Sequence, residues 1–555
     1  MMNLKIKFTI IGSILLSFGS VFGQAENDSL LNILKKELNR EWEVLSKAKY
    51  AAYYMDYRVD DNKSLQVTAS FGKLMQSDES KYRIVQPTIR IGNYEIDNTR
   101  QLKNQFNYND RANTQSLPLN NDEVAIQNAL WMVTSREYQS VKDVYVKIAS
   151  HDVESEVDDF SKEEPSVFYE APISSDIDVE KWNKLAKELS NEFKLSDGLT
   201  GGDVYIYLSS DRQYFVSSEG SSIAQNSWSV QIHMVVSAIN DENESMDLYE
   251  SFHANSPNGL PSLSLMKEKA KELVKTIKEL KMAPSAEPYT GPAILHPRAS
   301  AVFFHEIFGH RIEGHRLKSE YDGQTFKEKV GEKILPEYVS IYSDPTLTTY
   351  ENAELNGHYN FDDQGIKSRR VEVVKDGQLK NFLMSRAPLK EFQYSNGHGR
   401  SQIGASPVAR QSNLIIETTK GISEENLRRQ LIEECKKQNK PYGYYFVDVT
   451  GGFTNTSRYQ PNAFNIMPTI VYRIFVDGRP DELVRGVDLI GTPLSMFAEV
   501  IATGDQQGVF NGTCGAESGG IPVSAVAPSI LVRRIETQKK LVNEVKSSDP
   551  LLPQP

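Results

Sequence analysis

The stretch Phe303-Phe304-His305-Glu306-Ile307-Phe308-Gly309-His310-Arg311-Ile312-Glu313-Gly314-His315 holds three of the chain's nine histidines. From His305 to His310 it spells H-E-x-x-x-H. This is one residue longer than the H-E-x-x-H signature of zinc proteases, where histidines at i and i+4 share a helical face and the Glu is the base. On a regular helix, positions i and i+5 point about 140° apart. His305 and His310 therefore converge only if a π-bulge widens the turn or the helix breaks near Gly309. Pro297 suits the first turn of this helix. Val302, Phe303, Phe304, Ile307 and Phe308 make it apolar on most sides, so it is expected to be buried. Two histidines and a Glu on a buried helix need partners. The plainer alternative is a set of core and rim histidines with ordinary hydrogen bonds.

Cys514 adds to the pattern. It lies in Asn511-Gly512-Thr513-Cys514-Gly515-Ala516-Glu517-Ser518-Gly519-Gly520, where flanking glycines predict a thiol exposed on a tight loop. Two His and one Cys make an open zinc site, with the fourth position left for water. Zinc lowers the pKa of such a water toward about 7, and Glu306 is placed to take its proton. Cys435 follows Leu427 and Leu431 on one helical face and reads as a core residue. Its rival reading is a Cys435–Cys514 disulfide, which an exported setting would favour.

Working outward, 555 residues exceed one ordinary core. The chain is 39% hydrophobic and 25% charged, a soluble globular composition. Its net charge of −12 argues against a duplex nucleic-acid partner. Two cysteines exclude a disulfide framework. Lys5 and Lys7, the apolar run from Phe8 to about Phe22, and Val21 and Gly23 before Gln24 read as a signal peptide over 1–23; an uncleaved anchor is the alternative. Export to the periplasm or the extracellular space follows, with no membrane span after removal.

The remainder divides into an N-terminal α+β domain (24–285), a β-rich, barrel- or sandwich-like domain carrying the metal helix (289–540), and a loose tail (541–555). In the first half the periodicity predicts helices at 27–48, 122–148 and 179–194, and a long one capped by Ser262. It predicts strands at 51–59, 64–72, 82–96, 203–218 and 223–239. Residues 152–165 read as a solvated acidic loop. No site motif stands out there. In the second half, Asp376-Gly377 and Asp477-Gly478 mark hairpins joining Val371–Val374 to Leu379–Met384 and Ile470–Val476 to Glu482–Val487. One helix fits 424–437.

The motif helix and the Cys segment together resemble the TldD/PmbA family of metallopeptidases, on the TldD-type side. The resemblance is carried by Phe303 to Gly314, by Gly512-Thr513-Cys514-Gly515 running on to Pro528, by Asp362-Asp363-Gln364-Gly365 and by Asn396-Gly397-His398-Gly399-Arg400. It is strong over about 290–535 and weak over about 26–285. It implies one zinc per chain on His305, His310 and Cys514, Glu306 as the catalytic Glu, and no further cofactor. Glu313 could orient a ligand imidazole, and His315 has no metal role in that pattern. The resemblance also implies cleavage of flexible or unfolded peptides, by a homodimer or by a heterodimer with a metal-less relative. The family's best-known members are cytoplasmic, whereas this chain starts with an export signal. Zinc, Arg400, His398 or Tyr459 could stabilise the oxyanion. The rival functions are a non-catalytic peptide-binding scaffold with a vestigial or structural metal, and a zinc amidase acting on non-peptide amides.

Overall fold

The computed structural model describes residues 27–102, 111–151, 156–194, 198–460, 463–492 and 496–540. The expected signal peptide, the C-terminal tail and part of the acidic loop lie outside them. The fold is α+β, built on two sheets.

The first sheet is a mostly antiparallel array. Its strands lie in the order Gln115–Ser116, Lys73–Ile91, Ala52–Ser70, Gly201–Ser217, Ser222–Ile239 and Val167–Tyr169, and Ser245–Ala254 pairs beside Ser222–Ile239. Where three strands were expected over 51–96, there are two of nineteen residues each. Asp60, Asp61, Asn62 and Lys63 stay in register with Ile84, Arg83, Tyr82 and Lys81. Their polarity marks a wet or packed polar face, not a break. The turn comes instead at Phe71-Gly72, both at positive φ.

Side chains alternate along a strand, and here the two faces have different fates. Val204, Ile206, Leu208, Val230, Ile232, Met234 and Val236 are buried in a core with the helices Val179–Ser190 and Leu263–Met282. Met55, Tyr57, Val59, Tyr214 and Val216 meet the helices Ser29–Leu45 and Glu123–Ala149. The opposite face, largely polar but with Phe215 and Ile223 against Phe361, turns to the second half of the chain. Arg58 pairs with Asp363 at 3.2 Å and donates to the Ser401 carbonyl at 3.0 Å. Gln213 donates to Asp363 at 2.8 Å and Gln225 to the Phe361 carbonyl at 3.0 Å.

Among the described residues the second sheet has eleven strands. Five of them close a ring: Tyr289–Leu295, Tyr442–Thr454, Phe464–Phe475, Val487–Gly491 and Gly519–Lys539, the last pairing back to the first. Closure removes the exposed edges that an open sheet must protect. The helix Pro297–Ile307 packs in the same core, its phenylalanines among Phe446, Phe464 and Ile530. The helix Glu424–Lys437 is capped by Ser423 and buries Leu427, Leu431 and Cys435.

One expected hairpin is cut short. The Asp376-Gly377 turn forms, both residues at positive φ, but only Gln378–Leu379 continue as a strand. Farther on, Leu383 leaves to pair with the loop after the motif helix: its N–H donates to the Ile312 carbonyl and its carbonyl accepts from Gly314, each at 2.8 Å. Phe303 is fully buried, so Phe303→Ala should cost about 3–5 kcal/mol, read as a fall in thermal midpoint. Val44→Ala, on an exposed helix face, should change stability by less than about 0.5 kcal/mol.

Candidate metal centre

The motif helix stops at Ile307. Phe308 sits at φ −119°, and Gly309–Arg311 continue as one 3₁₀ turn. The extra residue of the motif is thus absorbed by a helix break, one of the two geometries the spacing allows, and not by a π-bulge. Two features fix the break. Phe308 is held by the rings of Phe326 and Phe497, with centroids 5.3 and 5.2 Å away. A Cβ at Gly309 would fall 1.9 Å from the Gln411 side-chain oxygen, so the chain passes Gln411 closely only as glycine.

The break swings His310 back toward His305, with ring centroids 5.0 Å apart. Cys514 Sγ lies 3.4 Å from His310 Nε2. Ligand atoms of His305, His310 and Cys514 all lie within 4.8 Å of one another, and all three residues are buried. Glu306 Oε2 stands 4.0 Å from His310 Nε2.

Cys514 does not sit on an exposed loop. It lies near the end of the strand Val500–Ala516, opposite Ile521 in a hairpin, and is 6% exposed. The surrounding glycines serve the hairpin: Gly515 faces Gly520, and Gly519 takes φ +83° at the turn. Both cysteines are free thiols, so the Cys435–Cys514 bridge is not formed. Cys435 is fully buried among Leu427, Leu431 and Ile474, and burial pushes its thiol up to about 12.

Polar groups behind the triad orient it. His310 Nδ1 lies 3.2 Å from Glu313 Oε2. Donation to that carboxylate leaves Nε2 free to face Cys514, the usual arrangement for a ligating histidine. Glu313 is fully buried and also meets Arg316 at 2.9 Å and Arg410 at 3.5 Å. Burial alone would raise its carboxyl, but His310 and Arg316 outweigh this and hold it at about 2. Arg410 donates to the Cys514 carbonyl at 2.7 Å. His315 pairs with Glu517, which also takes Arg316 at 2.9 Å.

Charge is distributed to match. Burial works to raise the Cys514 thiol, yet His310 and His305 hold it well below its ordinary value. Burial lowers the His310 imidazole, and Cys514 and Glu313 more than reverse that. Desolvation raises the Glu306 carboxyl. Two imidazole nitrogens and a thiolate-favouring sulfur form a donor set that suits zinc, and a metal fits this cluster.

The triad lies in a cleft of about 680 Å³. Residues 288–539 match the PmbA/TldA metallopeptidase C-terminal domain. This region, a little under half of the chain, carries the C-terminal domain of the TldD/PmbA family. A metalloprotease of Archaeoglobus fulgidus is 32% identical over 276 residues, 50% of this chain and 59% of that one. A zinc metalloprotease TldD homolog of Saccharolobus solfataricus is 23% identical over 260 residues, 46% of this chain and 52% of that one. The chain thus spans about half the length of these curated relatives. The crystal structure of TldE from Thermococcus kodakarensis superposes with a TM-score of 0.61 at 14% identity, covering 92% of this chain and 100% of that one, and so shares the fold.

Arg400, His398 and Tyr459 are not part of the cleft lining. Arg400 stacks on Tyr359 and donates to the Gln411 carbonyl at 2.7 Å. His398 is fully buried beside Ser343, and burial pushes its imidazole down to about 3. Tyr459 is largely exposed. Sequence reasoning also passed over Arg410 and Gln411, which no motif marks, and Gly452, where a Cβ would stand 2.5 Å from Glu306 Cγ. Denatured without reductant, the protein should titrate two free thiols. A count of zero would mean that Cys514 is bridged and the triad is not a metal site.

Proposed function

We propose that the chain is an exported zinc metallopeptidase that hydrolyses flexible or unfolded peptides, with one zinc on His305, His310 and Cys514 and Glu306 as general base. The convergence of those three side chains beside a buried Glu carries this reading. Zinc bound there supplies a Lewis acid and lowers the pKa of an attacking water toward about 7. The remaining steps belong to the chain. Glu306, desolvated and therefore more basic than an ordinary carboxylate, takes the water's proton and returns it to the leaving amine. The Glu313 carboxylate holds His310 by Nδ1, so that Nε2 keeps its lone pair for the metal. Arg311 donates to the Glu306 carbonyl at 2.8 Å, fixing the backbone from which the base projects. Gly452, on the strand Tyr442–Thr454, lets that strand pass against the Glu306 side chain.

The chain works as a homodimer or beside a metal-less relative, with a signal peptide directing export. No helix among the described residues is long and apolar enough to cross a membrane.

Elemental analysis should find about one zinc per chain, lost in Cys514→Ser and in His305→Ala. Glu306→Gln should retain the zinc while peptide cleavage falls at least about a hundredfold; full turnover in that variant would exclude Glu306 as the base. Gly452→Ala, at a position whose backbone any residue can adopt, should also keep zinc. It pushes Glu306 aside and should lower kcat about tenfold or more, with a stability loss of about 1–3 kcal/mol from the added methyl.

A further inference from the structure

The cleft has a second wall, and it comes from the other sheet. Gln231 and His233 on Ser222–Ile239, and Tyr249, Ser251 and His253 on Ser245–Ala254, line the same cleft as His305, Glu306, His310 and Cys514. The register explains why they gather. Gln231 lies opposite His253, and His233 opposite Ser251, so all share one face by strand alternation. Their neighbours Val230, Ile232, Met234, Leu248 and Ala254 point the other way, into the helix-covered core. A sheet face that needed only to pack would not require this row of imidazoles, amide and hydroxyls beside a reactive centre.

The wall carries no formal charge. Burial lowers both imidazoles from their ordinary value, which favours their neutral form. The charges nearby are already matched: Arg298 with Glu250 and Asp448, each at 3.0 Å, and Arg316 with Glu313 and Glu517, each at 2.9 Å. The wall is also fixed in place. Tyr249 donates to the Val449 carbonyl at 2.9 Å, on the strand whose Gly452 touches Glu306. His233 rests edge-on against Tyr207, with centroids 6.2 Å apart. Its Nε2 is 3.5 Å from Gln231 Oε1. His253 Nε2 meets Asn255 at 2.9 Å.

From this juxtaposition we infer that the N-terminal sheet is the specificity wall of the cleft. It hydrogen-bonds uncharged polar side chains of the peptide (hydroxyls and amides) through His233, His253 and Gln231, and it disfavours charged ones. Neutral imidazole and amide groups can both donate and accept, which suits hydroxyl and amide partners. A substrate Lys or Glu buried against the wall would find no countercharge and would lose its hydration. This deepens the peptidase reading above and rests on it.

The test uses the full-length zinc-loaded protein and synthetic eight-residue peptides. The peptides form sets differing only in Ser, Thr, Asn or Gln against Leu, Lys or Glu at each position in turn. Wild type should favour the neutral polar members at one position about tenfold in kcat/KM. The preference should fall to within about twofold in His233→Leu/His253→Leu and persist in His233→Gln/His253→Gln, which keep the hydrogen bonds. Zinc content reports integrity, and should the double variants not fold, Gln231→Leu and Ser251→Ala read the same face singly. Binding of labelled peptides to zinc-loaded Glu306→Gln protein, by fluorescence anisotropy, measures the preference without turnover. An unchanged preference in the Leu variants, or a wild-type preference for charged members, would overturn the wall even if peptides are cleaved. Absence of cleavage with a wall-dependent binding preference would overturn the peptidase reading and uphold the wall.

Discussion

The centre depends on one buried carboxylate. Glu313 has no solvent and is held by His310, Arg316 and Arg410. Removing any one partner would leave uncompensated charge in a low-dielectric interior, typically a loss of about 3–5 kcal/mol. The cluster's geometry is therefore over-determined. Glu313 sets the imidazole of His310. Arg410 reaches past it to the carbonyl of Cys514, so one polar knot fixes two of the three candidate ligands. The Leu383 pairing to Ile312 and Gly314 holds the loop that carries the knot.

A second dependency is the helix break. A continuous helix would have turned His310 away from His305, and the motif would be only two buried histidines. The aromatic grip on Phe308 and the close pass of Gln411 at Gly309 make the break the low-energy path. The spacing of the motif and the packing of its phenylalanines are thus one constraint seen at two levels.

Much of this was legible in the sequence, for identifiable reasons. Helices with strong four-residue periodicity, such as Leu30, Leu34 and Leu38 or Met266, Ala270 and Ile277, emerge within a few residues of their expected limits, because burial of one stripe dictates both pattern and fold. The histidine spacing foretold a distorted helix, and Glu313 was rightly singled out as a partner for a ligand imidazole. Other features were hidden. The long strands through Asp60–Lys63 are polar because their side chains pair within the sheet, Asp60 with Arg58, Asp61 with Arg83 and Asn62 with Asp211, and local polarity cannot distinguish a protein neighbour from water. Glycines around Cys514 suggested a loop, although cross-strand pairing needs them just as well. The strand Ser245–Ala254 went unread although it alternates Met246, Leu248, Phe252 and Ala254 with Asp247, Tyr249, Ser251 and His253. The value of its polar members depends on a register that only the folded sheet reveals.

That strand changes what the N-terminal half is for. Had its sheet packed on the second half through apolar side chains alone, it would be a lid fixed by the hydrophobic effect and indifferent to what enters the cleft. It packs through an apolar patch, Phe215 and Ile223 on Phe361, and also through directional pairs, Arg58 to Asp363, Gln213 to Asp363 and Tyr249 to Val449, and directional bonds set distance and orientation as well as proximity. Polar groups of the same face continue into the cleft. Contacts that register one half on the other and groups that line the cleft therefore belong to one surface, and a change in how the halves dock would move His233 and His253 relative to Glu306.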